Sequence, residues 1–224
     1  MEDLFNFPFA SIVLQNLDIA NYLQLEQVSD LWKARLHHGY YQRLVLKNAV
    51  ENRELIKAAS ESQYEVVHFL AQKLQPEDLA MQDENHNETA LHKAAWNNNS
   101  RIMQLLIAKM EPADLGLANS ESKGFTALHL AAYNGNDRMV QLLMDKMVPA
   151  ELAKIDANGC TALHHAVNEG YDSTVRILAE KMTLQDLEIA DNDGWTALMY
   201  AQDAGYGRIE WILQLRSYNM LIVN

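Results

Sequence analysis

The sequence has a single cysteine, Cys160, among its 224 residues, and only four prolines. One cysteine forms neither an intramolecular disulfide nor a cysteine-based zinc site, which is consistent with a reducing compartment. Basic residues are also scarce, since 18 Lys and Arg stand against 30 Asp and Glu, for a formal net charge of −12. Because nucleic-acid binding needs clustered cations, nucleic acids and anionic membrane surfaces are poor candidate partners.

Long hydrophobic runs are absent as well, and no stretch approaches the roughly 18–20 apolar residues that a membrane-spanning helix requires. The first residues, MEDLFNFPFASIVL, begin with two acids rather than a basic segment, and Asn6 and Pro8 interrupt the apolar run. The last residues, MLIVN, carry no lipidation motif. We therefore expect a cytoplasmic protein, and the 49% hydrophobic content is enough for a sizeable core.

The chain contains an internal repeat. The strings TALHKAA, TALHLAA, TALHHAV and TALMYAQ follow one another at spacings of 37, 35 and 35 residues, beginning at Thr89, Thr126, Thr161 and Thr196. A degenerate copy, ELIKAAS, comes before them and places Leu55 in register with Leu91. A period of this length is typical of solenoid proteins, in which each unit is one supersecondary element.

Each copy predicts a pair of helices. The alanine-rich first segment is followed by a second apolar motif, seen in VVHFL, IMQLL, MVQLL, TVRIL and IEWIL. A residue suited to a left-handed turn stands nine positions after each Thr, namely Asn98, Gly135, Gly170 and Gly205. Two residues before each Thr, a second set of such residues predicts a projecting loop, which we call a finger: Asn87, Gly124, Gly159 and Gly194. The recurring strings QPEDL, EPADL, VPAEL and LQDL predict a short additional helical turn.

This pattern resembles the ankyrin repeat, whose core reads G-x-T-P-L-H-x-A-A followed by G-x-x-x-x-V-x-x-L-L. The match covers roughly residues 50–215, with alanine in place of the motif's proline at Ala90, Ala127, Ala162 and Ala197. The resemblance implies an all-α ankyrin-repeat solenoid of about five repeats, at 53–88, 89–125, 126–160, 161–195 and 196–216. A C-terminal tail follows at 217–224.

The terminal copies differ in ways that predict solvated ends. The first copy has Arg53 and Ile56 where the others have Thr and, in three cases, His. The last copy has Gln202 where the others have Ala or Val, and Glu210 where they have Val or Met. Since stacked repeats bury their apolar faces against neighbours, the end units need a polar outer face.

Residues 1–49 precede the repeats. Their apolar residues recur at helical spacing, which predicts a separate, small helical unit. They resemble an F-box, a motif that docks onto the Skp adaptor of a cullin-RING ubiquitin ligase while a following repeat domain recruits the substrate. Phenylalanine replaces the motif's leading leucine, and the span from Pro8 to Leu17 is two residues short. The residues that the resemblance assigns to partner binding are Pro8, Leu14, Leu17, Leu23, Val28 and Trp32.

The alternative is that residues 1–49 only cap the N-terminal face of the solenoid, and both roles are compatible. An F-box joined directly to ankyrin repeats is similar to the compact adaptors that some intracellular bacteria and viruses deliver into the host cytosol. Under the first interpretation the protein is a ubiquitin-ligase adaptor. Under the second it is a stand-alone ankyrin scaffold or inhibitor.

Three histidines recur with the repeat, at His92, His129 and His164. Successive copies lie a repeat apart rather than converging on one ion, so we expect no metal site. In the ankyrin family the Thr-x-x-His pair instead forms hydrogen bonds that tie one finger to the next. Cys160 has no activating neighbour, and no catalytic or phosphate-binding motif is present, so we expect neither enzymatic activity nor a cofactor.

The ankyrin resemblance also identifies the variable positions that face the concave side. The predicted binding residues are His86, Trp96, Asn97, Lys123, Phe125, Tyr133, Asn134, Asn158, Asn168, Glu169, Trp195 and Asp203. Four are aromatic, and aromatic rings among asparagines and acids are typical of interaction hot spots. The alternative is that these rings pack against neighbouring fingers. We expect a protein that is monomeric when alone and binds a target protein on this surface.

Overall fold

The computed structural model describes residues 50, 53–120 and 124–223, with side chains as far as residue 218. The predicted helical unit at 1–49 lies outside the described residues, with its proposed binding residues Pro8, Leu14, Leu17, Leu23, Val28 and Trp32. Lys123 lies outside them too.

Five helix pairs follow one another along the described chain, which confirms the predicted all-α solenoid. We call the first helix of each pair the inner helix: α1 (Glu54–Ser60), α4 (Ala90–Trp96), α6 (Ala127–Tyr133), α9 (Ala162–Asn168) and α12 (Ala197–Asp203). The second is the outer helix: α2 (Tyr64–Lys73), α5 (Ser100–Lys109), α7 (Asp137–Lys146), α10 (Asp172–Lys181) and α13 (Gly207–Val223). Inner helices pack on neighbouring inner helices, and outer helices on neighbouring outer helices.

The predicted additional turns are present between the pairs. They form α3 (Pro76–Leu79), a 3₁₀ helix (Pro112–Gly116), α8 (Pro149–Leu152) and α11 (Leu184–Leu187). Proline stands at the first position of three of these turns. It suits a helix start, because the N–H that proline lacks would have no acceptor within the helix.

Threonine is the N-cap of the last four inner helices, and in three of them a histidine bonds the helix start to the next finger. Thr126 accepts a hydrogen bond from the backbone N–H of His129, while His129 Nδ1 accepts from the Thr126 N–H at 3.1 Å. The other ring nitrogen, Nε2, then donates to the carbonyl oxygen of Cys160 at 3.2 Å. The same bonds join His92 to the Phe125 carbonyl and His164 to the Trp195 carbonyl, which confirms the predicted role of these histidines.

The turns between the two helices of a pair require a left-handed backbone. Gly135 has a φ of 62°, and a Cβ atom built there would lie 2.8 Å from the Tyr171 ring. Asn98 adopts the same conformation at a φ of 54°, as asparagine does more readily than other side chains. Both conformations agree with the turns predicted from the sequence.

The core runs without interruption through the repeats. Small side chains line the inner helices, where Ala94, Ala131 and Ala166 are completely buried and allow close helix packing. Leucine, methionine and valine from the outer helices fill the space behind them, including Leu106, Leu143 and Leu178. Burying each such side chain contributes about 1.5–3 kcal/mol, so the solenoid depends on contacts between neighbouring repeats.

The fingers are closed by isolated antiparallel bridges. Ala118 pairs with Thr126, Ile155 with Thr161, and Ala190 with Thr196. Adjacent fingers are also hydrogen-bonded to each other, since the Asn192 N–H donates to the Asn158 carbonyl at 2.9 Å.

The two polar residues that the sequence predicts at the C-terminal end of the stack do reach solvent. Gln202 is exposed and Glu210 is half-buried, and Gln202 donates to the Glu210 carboxylate. Residues 217–223, which the repeat spacing assigns to a tail, continue the last helix α13, so this outer helix is longer than the other four. None of the helices in the described part of the chain is both long and apolar enough to cross a membrane.

Candidate protein-binding surface

The predicted binding residues differ in how much of each side chain reaches solvent. His86, Phe125, Asn134 and Trp195 are half-buried. The exposed ones are Trp96, Asn97, Tyr133, Asn158, Asn168, Glu169 and Asp203. The surface is therefore mainly accessible, but its four aromatic rings fall into two classes.

Trp96 and Tyr133 are the two exposed rings. Each is the last residue of its inner helix, so the two side chains occupy equivalent positions in neighbouring repeats. Trp96 is 59% exposed and Tyr133 43%. Asn168 and Asp203 occupy the same position in the next two repeats, and we call these four residues the inner-helix row. Two exposed aromatic side chains on adjacent helices are typical of a surface that another protein covers.

Phe125 and Trp195 are packed against the solenoid, as the alternative interpretation of these rings predicts. Phe125 stacks on His129 with ring centroids 5.6 Å apart and is tilted against His165 at 4.7 Å. Trp195 is tilted against Tyr200 at 5.4 Å. These contacts arise because the residue before each Thr lies beside inner-helix rings of the same and the following repeat, so packing accounts for part of their burial.

Two asparagines of the predicted surface also hold the stack together. Asn97 donates from its side chain to the carbonyl oxygen of Ser60 at 2.7 Å, and Asn134 donates to that of Ala95 at 3.1 Å. Both acceptors are carbonyls near the end of the preceding inner helix, where helical partners run out. These side chains therefore stabilise the stack as well as lining its surface.

Two aspartates shape the fingers, Asp156, which is buried, and Asp191, which is half-buried, and the sequence analysis did not identify them. Asp156 Oδ1 accepts from the N–H groups of Asn158 and Cys160, while its Oδ2 lies 2.9 Å from His165 Nε2. Asp191 repeats this arrangement 35 residues later, with the Tyr200 hydroxyl donating at 2.6 Å in place of His165. The signal was available, since Asp stands five residues before Thr in both DANGCT and DNDGWT.

These contacts shift the acidity of the finger groups. Burial opposes ionisation of Asp191, but the hydrogen bonds from Tyr200 and from the Trp195 and Asp193 backbone outweigh it and lower the pKa of that carboxyl. Burial, together with the charges of Asp156, Asp191 and Asp193, raises the pKa of the Cys160 thiol to about 11. Cys160 is therefore a protonated thiol at neutral pH, the opposite of an activated nucleophile.

The repeated histidines are neutral side chains of the core. Burial lowers the pKa of His129 to about 4, and it also lowers the pKa values of His92 and His164. The hydrogen bonds require this neutral form, because Nδ1 accepts while Nε2 donates. Within the described residues no group of three or more His, Cys, Asp or Glu side chains is arranged to hold a metal ion.

A further exposed apolar feature lies on the last outer helix, and the sequence analysis missed it. Trp211 is 61% exposed, and Leu215 and Tyr218 are exposed four and seven residues later, which places the three on one helix face. The equivalent residues of the preceding repeat are polar: Arg176, Glu180 and Thr183. The sequence does contain a signal for this apolar face: a comparison of each outer helix with the one before it shows the apolar residues in place of polar ones.

Comparison with known proteins supports the repeat assignment. The family model described as ankyrin repeats, in three copies, matches residues 55–156 and 147–220. None of the curated proteins matches the chain significantly.

Proposed function

This chain belongs to the ankyrin-repeat family, and from that premise we propose that it is an adaptor whose repeats hold a target protein for a cullin-RING ubiquitin ligase. Ankyrin repeats support a role in protein–protein interaction, and proteins built from them are generally scaffolds without catalytic activity. In the proposal, residues 1–49 bind the Skp adaptor, and the inner-helix row with the fingers binds the target. The protein works in the cytoplasm, which is the host cytosol if it is a secreted effector.

The observation that carries the target-binding part is the pair of exposed rings at Trp96 and Tyr133. Exposure of 59% and 43% leaves large apolar surfaces in water, although neighbouring aromatic residues of the fingers are packed away. Interaction hot spots are enriched in such rings, and their truncation typically costs about 2 kcal/mol or more of binding energy. The asparagines and acids beside them supply the polar rim.

Target binding is tested with alanine variants of the two rings. We expect the wild-type protein to capture a target from cell extract. We expect the double variant Trp96→Ala/Tyr133→Ala to lose that capture while its melting temperature stays unchanged. Trp211→Ala is the matched control, because its indole is exposed to the same extent on an outer helix. Equal loss of capture in the control, or a lower melting temperature in the double variant, would contradict the proposed surface.

The ligase part rests on the F-box resemblance of residues 1–49 and is tested separately. Purified Skp adaptor is mixed with the purified full chain, and we expect a stable complex that is lost when Leu17 and Trp32 are both changed to alanine. If no complex forms, or if it survives these changes, the N-terminal segment acts only as a cap. The protein is then a stand-alone ankyrin scaffold or inhibitor.

A further inference from the structure

The last two finger-and-inner-helix segments of the stack carry acidic side chains without a Lys or Arg among them. Residues 155–171 and 190–206 are the last two finger-and-inner-helix segments, and together they contain five acidic residues and neither Lys nor Arg. The equivalent earlier segments, 83–99 and 120–136, also contain acids, but each has a lysine beside them, at Lys93 and Lys123. The positive charges of the last two repeats lie instead on the outer helices, at Arg176, Lys181, Arg208 and Arg216.

Three of the five acids are available to a partner. Asp156 and Asp191 are used inside the fingers, where they accept backbone hydrogen bonds and contact His165 and Tyr200. Glu169, Asp193 and Asp203 are exposed. None of these three takes part in the ion pairs that the structure describes for residues 53–218. The contrast with Glu88 is direct, since that carboxylate is buried and paired with Lys93.

The negative field of this region reaches its neighbours. The charges of Asp156, Asp191 and Asp193 all contribute to the raised pKa of the Cys160 thiol, which lies on the finger between them. A field that disfavours a thiolate favours an approaching cation by the same physics.

The exposed rings and the exposed acids lie on one continuous line. Trp96, Tyr133, Asn168 and Asp203 form the inner-helix row, and Glu169 follows Asn168 directly. Packed helices lie about 8–10 Å apart, so three steps from Trp96 to Asp203 cover roughly 24–30 Å. An extended chain rises about 3.3 Å per residue, so it spans this distance with roughly seven to nine residues.

Resting on the proposed target-binding function, we infer that the occupant of this surface is a cationic, extended segment of a partner protein. An apolar side chain of the segment covers Trp96 and Tyr133. Counted from the residue at Trp96, a Lys or Arg roughly five to six positions away contacts Glu169, and one roughly seven to nine positions away contacts Asp203. Charge complementarity favours a basic partner. The end of the surface at Glu169 and Asp203 has no Lys or Arg that could pair with an acidic segment. The rings of Trp96 and Tyr133 provide most of the affinity. The carboxylates of Glu169 and Asp203 orient the segment and increase its rate of association.

The test uses a synthetic fluorescent peptide with the sequence Phe-Leu-Phe, a Gly-Ser spacer and Lys-Arg-Lys, and a second peptide in which glutamates replace the basic residues. We expect only the basic peptide to bind the full chain. The double variant Glu169→Lys/Asp203→Lys should weaken that binding about five- to tenfold, and a few hundred millimolar salt should weaken it by a similar factor. The matched control is Glu65→Lys/Glu180→Lys, which makes the same charge change at exposed acids of two outer helices and should leave binding unchanged.

The outcomes separate this inference from the proposed function. Absence of binding by the basic peptide, equal binding of both peptides, or equal weakening by the control variant would overturn the inference. Target capture that depends on Trp96 and Tyr133 but is insensitive to Glu169→Lys/Asp203→Lys would also overturn it, and would leave the proposed function standing. The neutral variant Glu169→Gln/Asp203→Asn, with its melting temperature, shows whether any loss reflects folding instead.

Discussion

His129 and Cys160 are joined across two repeats by a hydrogen bond of 3.2 Å, in which the imidazole Nε2 donates to the backbone carbonyl oxygen. Nδ1 of the same ring accepts the N–H of Thr126, so the two bonds coexist only while the imidazole is neutral. His92 and His164 form equivalent bonds with Phe125 and Trp195. Three neutral imidazoles therefore connect the stack from one repeat to the next.

Acid should weaken the fold well above the range in which carboxylates titrate. The pKa of His129 is lowered from 6.5 to about 4, and those of His92 and His164 are lowered too. Below pH 6.5 the unfolded chain binds protons that the folded chain excludes, so the free energy of unfolding falls as the pH drops toward 4. Each imidazole contributes up to about 1.4 kcal/mol per pH unit.

Urea unfolding followed by circular dichroism at several pH values between about 7 and 4.5 measures this slope. Asp191 does not interfere, because its pKa is lowered from 3.8 and its contribution is lost only at lower pH. A free energy of unfolding that stays constant across this window would show that the imidazoles are not kept neutral by the fold.

Replacement of His129 by alanine should destabilise the protein by about 1–3 kcal/mol, because it leaves the buried Thr126 and Cys160 groups without their partner. Met199 is the matched control, since it occupies the same position in the repeat that begins at Thr196 and methionine donates no hydrogen bond. Its side chain is 43% exposed, and Met199→Ala should change the free energy of unfolding by less than about 0.5 kcal/mol. Thermal unfolding of the two variants compares them, and similar losses would argue against the inter-repeat bond.

Alanine at Gly135 should be more damaging than alanine at Gly205. Both glycines have positive φ angles, 62° and 70°, so each substitution carries a backbone cost of about 1–2 kcal/mol. At Gly135 the new Cβ also meets the Tyr171 ring at 2.8 Å, whereas at Gly205 no atom lies within 4 Å. Denaturant unfolding of both variants measures the difference, and Tyr171→Ala in the Gly135→Ala background should remove most of it.

Cys160 should react slowly with iodoacetamide at neutral pH. A pKa of about 11 in place of 9.0 leaves about a hundredfold less thiolate than an ordinary cysteine has. We expect the rate to rise on unfolding in urea and, more modestly, in Asp193→Asn, which removes one of the nearby negative charges. A folded protein that reacts as fast as the unfolded one would refute the raised pKa.

The sequence predicted most of the architecture because each copy of the repeat contains residues that mark where its helices begin and where its turns lie. Thr126, His129 and Gly135 each recur at a fixed offset, so the copies could be compared and the left-handed turns predicted, and the ankyrin resemblance implied the histidine bonds. The aromatic side chains were harder to predict. Phe125 and Trp195 were placed with Trp96 by their position in the repeat, but their burial depends on which rings lie beside them.

The finger aspartates and the apolar face of the last helix are features that the sequence analysis missed. Asp156 and Asp191 recur regularly, and their partners His165 and Tyr200 both stand four residues after Thr, but one is an imidazole and the other a phenol. Trp211 departs from the polar residues at its position in the other repeats, so a search for shared patterns passes over it. A motif is recognised by what its copies share, whereas these features depend on contacts between unlike residues.

The histidine bonds all point toward the C-terminus, which gives the stack a direction. A chain shortened after α10 would lose the Trp195 carbonyl and the Tyr200 ring that lie against His164, so the imidazole Nε2 would donate to water instead of to the protein. The equivalent side chain in the repeat that begins at Thr196 is Met199, which is 43% exposed and donates no hydrogen bond. Engineers who wish to lengthen the solenoid should therefore restore histidine at 199 before adding another unit.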